Sequence, residues 1–174
     1  FHDLDYEIFV VSNSCYPADI QETLSLSLPF VTFIFNEQNV GFGRANNQAI
    51  SRASGESILV INPDAKVSGP GIMTALDFLK THPNVAIVGP AIYDCTGAIQ
   101  DSCREFITLK KVLQRSWIRI TQREAAGILE QLDYSKAQST DWISGACMLI
   151  RHEAITQVGL FDERFFMYME DMDW

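Results

Sequence analysis

Three times before residue 85 the chain passes through a short apolar run, breaks on a polar cluster and enters a stretch with helical spacing. Glu7–Val11 stops at Ser12-Asn13-Ser14 and leads to a helix over Asp19–Leu28, closed by Pro29. Val31–Phe35 stops at Asn36–Asn39 and the Gly41-Phe42-Gly43 turn. Phe42, Ala45, Ala49, Ile50 and Ala53 then fall on one helical face that ends at Gly55. Ser57–Ile61 stops at Asn62-Pro63-Asp64 and leads to a helix from Pro70 to His82, with proline near its start and just past its end. Val85–Val88 adds a fourth strand. Short, continuously apolar strands alternating with helices predict an α/β domain with a mostly parallel central sheet flanked by helices. At 174 residues, 47% hydrophobic and 20% charged, the chain is long enough for one such domain with its own core.

Downstream, Tyr93-Asp94-Cys95-Thr96-Gly97 reads as a hairpin turn and predicts a small β-ribbon. Arg104 to Thr140 is basic, amphipathic and helical in pattern, and its Lys110–Arg123 stretch could touch lipid headgroups. Trp142–Arg151 reads as one further strand and His152–Val158 as a short helix. A net charge of −9 argues against a nucleic-acid-coating surface. An anionic ligand would need local help from a metal or a helix N-terminus. No run reaches the roughly 18 apolar residues of a membrane span. The four cysteines contain no C-x-x-C pair and the three histidines are scattered, so reduced thiols in a cytoplasmic setting are expected and a structural zinc site is not. Phe1 is no natural start and Trp174 falls in mid-pattern, so a fragment is expected. Nothing in the sequence sets the oligomeric state.

In an open α/β sheet, ligands bind at the carboxyl ends of the strands. The clusters at Ser12-Asn13, Asn36 to Asn47 and Asn62-Pro63-Asp64 all follow strands and converge on one edge. Asn62-Pro63-Asp64 has two readings, a turn of good turn formers or a clamp in which Asp64 holds a metal-bound diphosphate. Gly41-Phe42-Gly43 feeding a helix can present amides to an anion, while Asn39 and Asn47 can reach a base or ribose. An ordinary turn with a polar helix face fits those residues equally. The fingerprint of dinucleotide-binding folds fits poorly, because G-x-G-x-x-N lacks the third small residue.

The last residues interleave carboxylates with large apolar groups: Asp162 and Glu163 near Phe165 and Phe166, then Glu170, Asp171 and Asp173 near Tyr168 and Trp174. Carboxylates held close raise one another's pKa and can leave one ready to accept a proton. An acidic patch at a helix start is the other reading. Trp142-Ile143-Ser144-Gly145-Ala146 places an aromatic face and a small-residue turn at the opposite end of the expected groove. A buried core tryptophan is equally compatible.

Taken in order and spacing, Asn39–Asn47, Ile61–Asp64, Trp142–Ala146 and Gly159–Asp173 closely resemble the family 2 glycosyltransferases, particularly their rhamnosyltransferase-like branch. The resemblance covers nearly the whole chain, with Gly89-Pro90 and Gly97–Gln100 included. It implies a GT-A fold and inverting transfer of a sugar from a nucleoside-diphosphate donor, with Mg2+ or Mn2+. By position, Asn62-Pro63-Asp64 matches the D-x-D motif, with Asp64 as metal ligand and Asn62 as the substituted first member. Glu170-Asp171 matches the E-D pair, with Asp171 as general base. Ser12, Asn13, Asn39, Gly41, Phe42, Asn47, Asn62 and Asp64 become donor-binding residues; Trp142, Gly145 and Ala146 become acceptor-binding ones. Ser12 stands where the family commonly has the Asp that contacts the nucleobase, a departure that bears on base selectivity.

Residues 1–90 are then the nucleotide-binding half and 91–174 the acceptor and catalytic half of one domain, incomplete at both ends. The implied donor is dTDP-rhamnose or a UDP-linked sugar. The implied acceptor is a glycan or a polyprenyl-linked sugar, met at the inner face of the cell membrane. Two rivals stand beside this reading. A sugar nucleotidyltransferase would want a Gly-rich loop with Arg and Lys after its first strand, and none is visible. A degenerate binding module is favoured by Ser12 and opposed by Asp64 and Asp171.

Overall fold

A computed structural model describes residues 4–100, 102–104, 106 and 133–174. The chain divides into two compact units, Phe1–Pro90 with Ser144–Trp174, and Ala91–Ile143. The helix read across Arg104 to Thr140 falls largely outside the described residues, its Lys110–Arg123 stretch wholly so, and residues 133–140, which are described, form turn and loop rather than helix.

In the first unit, β1 (Ile8–Ser12) and β2 (Val31–Phe35) pair in parallel, with α1 (Ala18–Ser27) between them in the chain. α2 (Phe42–Ile50) follows β2 and turns Gly43, Ala45, Asn47 and Ile50 inward, the face set by the small and apolar spacing of the sequence. β3 (Ser57–Ile61) leads to α3 (Gly69–Thr81), whose N-cap Ser68 hydroxyl accepts from the Gly71 N–H at 3.1 Å. β4 (Ile87–Val88) follows. β9 (Cys147–Arg151) lies between β3 and β4 and runs antiparallel to both. α4 (His152–Val158) and the one-turn α5 (Glu170–Asp173) complete the unit. In the second unit β5 (Ile92–Tyr93) pairs with β6 (Ile99–Gln100), and β7 (Cys103–Arg104) with β8 (Trp142–Ile143). The β5–β6 pair is the expected ribbon, its turn held by the Asp94 carboxylate accepting from the Thr96 and Ala98 amides at 2.8 and 3.0 Å.

Two expectations about strands need correction. The sheet is not mostly parallel: among the described residues only β1–β2 is parallel, because β9 is inserted antiparallel between β3 and β4. Trp142–Arg151 is also not one strand. It breaks at Ser144–Ala146, where the chain leaves the second unit and returns to the first.

The core of the first unit lies on β9. Cys147, Met148, Leu149 and Ile150 are all buried, as are Val60, Leu79, Ala154, Ile155 and Phe161 in the same unit. A strand covered on both faces reads as an unbroken apolar run, as Cys147–Ile150 does. Arg151 ends the run by turning its guanidinium onto the carbonyls of Leu79, His82 and Val85, the first two at the C-terminal end of α3.

Candidate active site

The glycine turn is built by geometry that only glycine tolerates. Gly41 has φ +88°, and a Cβ there would collide with the Phe166 carbonyl, which accepts the Phe42 N–H at 2.9 Å. The turn is held from the strand side by amides. Asn13 Nδ2 donates to the Gly41 carbonyl at 3.3 Å, and Asn36 Nδ2 donates to Asn13 Oδ1 at 3.0 Å and to Gln48 Oε1 at 3.1 Å. Gln48 Nε2 returns a bond to Asn36 Oδ1 at 3.0 Å. Asn39 Oδ1 accepts from the Gly41 N–H at 2.9 Å, and the Ser12 hydroxyl accepts from the Ser14 N–H at 3.2 Å. Asn36 and Gln48 are scaffold residues that sequence reasoning did not single out. Asn36 had a signal, its place directly after a strand; Gln48 had none beyond the polar side of a helix.

Asn47, expected at the donor, is engaged with the protein itself. Its side chain is 4% exposed, donates to the Phe161 carbonyl at 2.9 Å and to Glu163 Oε1 at 3.2 Å, and accepts from the Phe161 N–H at 3.0 Å. Both of its donor hydrogens are engaged, so what it does is hold the acidic tail against α2.

That tail ends in a strained corner. Tyr168 and Met169 have φ +67° and +75°, a region costing about 1–3 kcal/mol each for residues other than glycine. The corner delivers Glu170 and Asp171 to α5 with different surroundings. Asp171 is half-buried, and its Oδ2 accepts from the Gly145 N–H at 3.0 Å. Glu170 is 5% exposed and its Oε2 has no hydrogen-bond partner among the described residues. Burial, with the Asp171 charge adding to it, raises the Glu170 pKa. Glu170 is therefore the member of the pair that burial drives toward its neutral form.

A raised folded pKa means that ionising Glu170 works against the fold. Its favourable contribution is complete below the unfolded value of 4.5 and is lost as pH rises through the folded value. Glu170→Gln should accordingly melt at the wild-type temperature below about pH 4.5 and above it at higher pH, a divergence that thermal scans across pH would show.

Asn62-Pro63-Asp64-Ala65 is a turn closed by the Ala65 N–H on the Asn62 carbonyl at 3.0 Å, and the Asn62 N–H donates to the Ala146 carbonyl at 3.0 Å. Asp64 stands exposed at its tip, with no partner to its carboxylate among the described residues. No cluster of three or more His, Cys, Asp or Glu exists among those residues. A lone carboxylate suits an ion that takes one or two protein oxygens and fills its remaining positions from water and phosphate. The structure thus brings the Asn13, Asn39, Gly41 and Phe42 region, the Asn62–Asp64 turn, Gly145-Ala146 and Glu170-Asp171 into one unit. Trp142 lies on β8 in the second unit, half-buried.

A half-buried carboxylate bonded to the Gly145 amide and a second exposed at a strand tip thus lie in one α/β unit. The sequence pattern of Glycosyl transferase family 2 matches residues 2–159, and the chain belongs to that family. It is 36% identical over 162 residues to the N-acetylglucosaminyl-diphospho-decaprenol L-rhamnosyltransferase of Mycobacterium tuberculosis, covering 83% of this chain and 52% of that protein. It is 27% identical over 141 residues to the rhamnosyltransferase WbbL of Escherichia coli, covering 76% of this chain and 52% of that one. The chain thus spans about half the length of these curated relatives. Among solved structures, a mannosyltransferase from Pyrobaculum calidifontis in complex with GDP-Man and Mn2+ superposes with a TM-score of 0.52 at 18% identity, over 90% of this chain and 38% of that one. GalNAc-T7 with UDP, GalNAc and Mn2+ superposes with a TM-score of 0.58 at 12% identity, over 96% and 33%. Both likenesses concern the fold.

Proposed function

We propose that this chain forms the catalytic region of an inverting glycosyltransferase that moves rhamnose from dTDP-rhamnose to a polyprenyl-linked N-acetylglucosaminyl acceptor in cell-surface polysaccharide synthesis. The observation that carries the proposal is the fixed Asp171 carboxylate, held by the Gly145 amide on the segment that also anchors the Asn62–Asp64 turn. The rhamnosyltransferase relatives support the sugar and the lipid-linked acceptor.

The diphosphate of the donor binds at the Asp64 turn, with its nucleoside along the tips of β1 and β2 near Ser12, Asn13 and Asn39. Asp64 would hold Mg2+ or Mn2+, which would supply charge to neutralise the diphosphate. Asp171 accepts the proton of the acceptor hydroxyl. The oxygen's electron pair forms the new bond to the anomeric carbon as the bond to the diphosphate breaks, and the nucleoside diphosphate leaves with the pair of the broken bond. One displacement from the opposite face inverts the centre. Asp171 can act this way because its other oxygen remains available while Oδ2 is held by an amide. An acceptor carried on a polyprenyl chain places the working enzyme peripherally at the cytoplasmic face of the membrane. No helix among the described residues is long and apolar enough to cross one.

The test is transfer by the intact enzyme from dTDP-rhamnose to N-acetylglucosaminyl-diphospho-polyprenol, with the product's anomeric configuration read by NMR. A single product of inverted configuration is expected. Retention, or hydrolysis of the donor alone, would sink the proposal.

A further inference from the structure

We infer that Phe42 and Gly145 are positioning residues, which fix where the Asp171 carboxylate stands relative to the Asn62–Asp64 turn, and do not themselves touch donor or acceptor; this rests on Asp171 as the base proposed above. Gly145-Ala146 forms a two-residue strut. At one end the Gly145 N–H donates to Asp171 Oδ2 at 3.0 Å, and at the other the Ala146 carbonyl accepts the Asn62 N–H at 3.0 Å. The Ser144 hydroxyl accepts the Ala146 N–H at 3.3 Å, so both amides of the strut are engaged. An in-line displacement needs the anomeric carbon between a departing diphosphate and the attacking hydroxyl. The length and tilt of the strut set that separation, and misplacement by about 1 Å costs on the order of 100-fold in rate.

A wall of aromatic rings gauges the strut from the side. A Cβ at position 145 would lie 2.9 Å from Phe42 Cζ and 3.0 Å from its Cε1. The half-buried Phe42 ring meets Phe161 edge-on with centroids 6.1 Å apart, and Phe161 meets Trp174 at 5.2 Å. Phe161 is buried, and Trp174 is itself tied by its indole N–H to the Gly159 carbonyl at 2.7 Å. A side chain at 145 meets this braced ring, and to the extent that the strut yields, the carboxylate bonded to it moves too.

The test is steady-state kinetics of the intact enzyme with dTDP-rhamnose and the polyprenyl-linked acceptor, beside calorimetric binding of dTDP. Gly145→Ala is expected to lower kcat by about 10–100-fold, with both KM values and dTDP affinity little changed. Adding Phe42→Leu, which removes the far ring atoms, is expected to restore most of that loss. Phe42→Leu alone puts no new atom at 145 and lowers kcat in the same sense but less, so it reports even if Gly145→Ala fails to fold. A dominant rise in acceptor KM would mean that Gly145 contacts the acceptor and would overturn the inference. So would normal kcat in both single variants while Asp171→Asn is inactive. Normal turnover in Asp171→Asn would instead remove the base reading underneath.

Discussion

Asp171→Asn should lower turnover by about 10²–10⁴-fold, the range for removing a general base, with nucleotide affinity unchanged. The substitution is nearly isosteric, and the asparagine carbonyl oxygen can still accept the Gly145 N–H that Asp171 Oδ2 now accepts at 3.0 Å. Fold and placement survive, and what disappears is the capacity to take a proton. Glu170 cannot stand in for it. Burial and the neighbouring charge favour its neutral form, and its Oε2 is buried away from solvent. The check is the rate of dTDP release in the presence of acceptor. Turnover at the wild-type rate would show that the proton leaves by another route.

Asp64→Ala is expected to reduce metal-dependent dTDP binding by at least about 100-fold, since losing a ligand should exceed the 10–100-fold cost of losing a group behind one. The backbone of the turn does not depend on that side chain, because its closing bond runs from the Ala65 N–H to the Asn62 carbonyl. The loss is thus one of binding and not of structure. Calorimetry gives a sharp form of the result: in Mn2+ the variant should bind dTDP no better than the wild type does in EDTA. Equal affinity of variant and wild type in Mn2+ would reduce Asp64 to a turn former.

The parts legible in the sequence were those set by local chemistry. β1, β2, β3 and α2 announced themselves through apolar runs, glycine and proline, because burial and backbone freedom write short-range patterns. The E-D pair stood out because carboxylates rarely sit among so many aromatics. Partner choice was not legible. Cys147–Ile150 reads as a buried strand whether its neighbours run parallel or antiparallel, so the insertion of β9 between β3 and β4 had no local signal. Asn47 illustrates the same limit from the other side: its hydrogen bonds to the distant Phe161 backbone have no local signal in the sequence. Which of two adjacent carboxylates would be desolvated was equally a matter of tertiary packing, and it fell on Glu170.

The insertion of β9 also bears on how the protein comes into being. β3 and β4 leave the ribosome long before the strand that joins them, and their shared partner belongs to the far end of the chain. Such non-local pairing delays folding, because loop-closure entropy must be met before the contacts that reward it exist. During synthesis the nascent strands present open edges, which are templates for association with other chains. A polypeptide ending at residue 90 would carry those edges permanently. Residues 1–90 are therefore no module to be lifted out and grafted elsewhere; they mature only when β9 arrives to complete them.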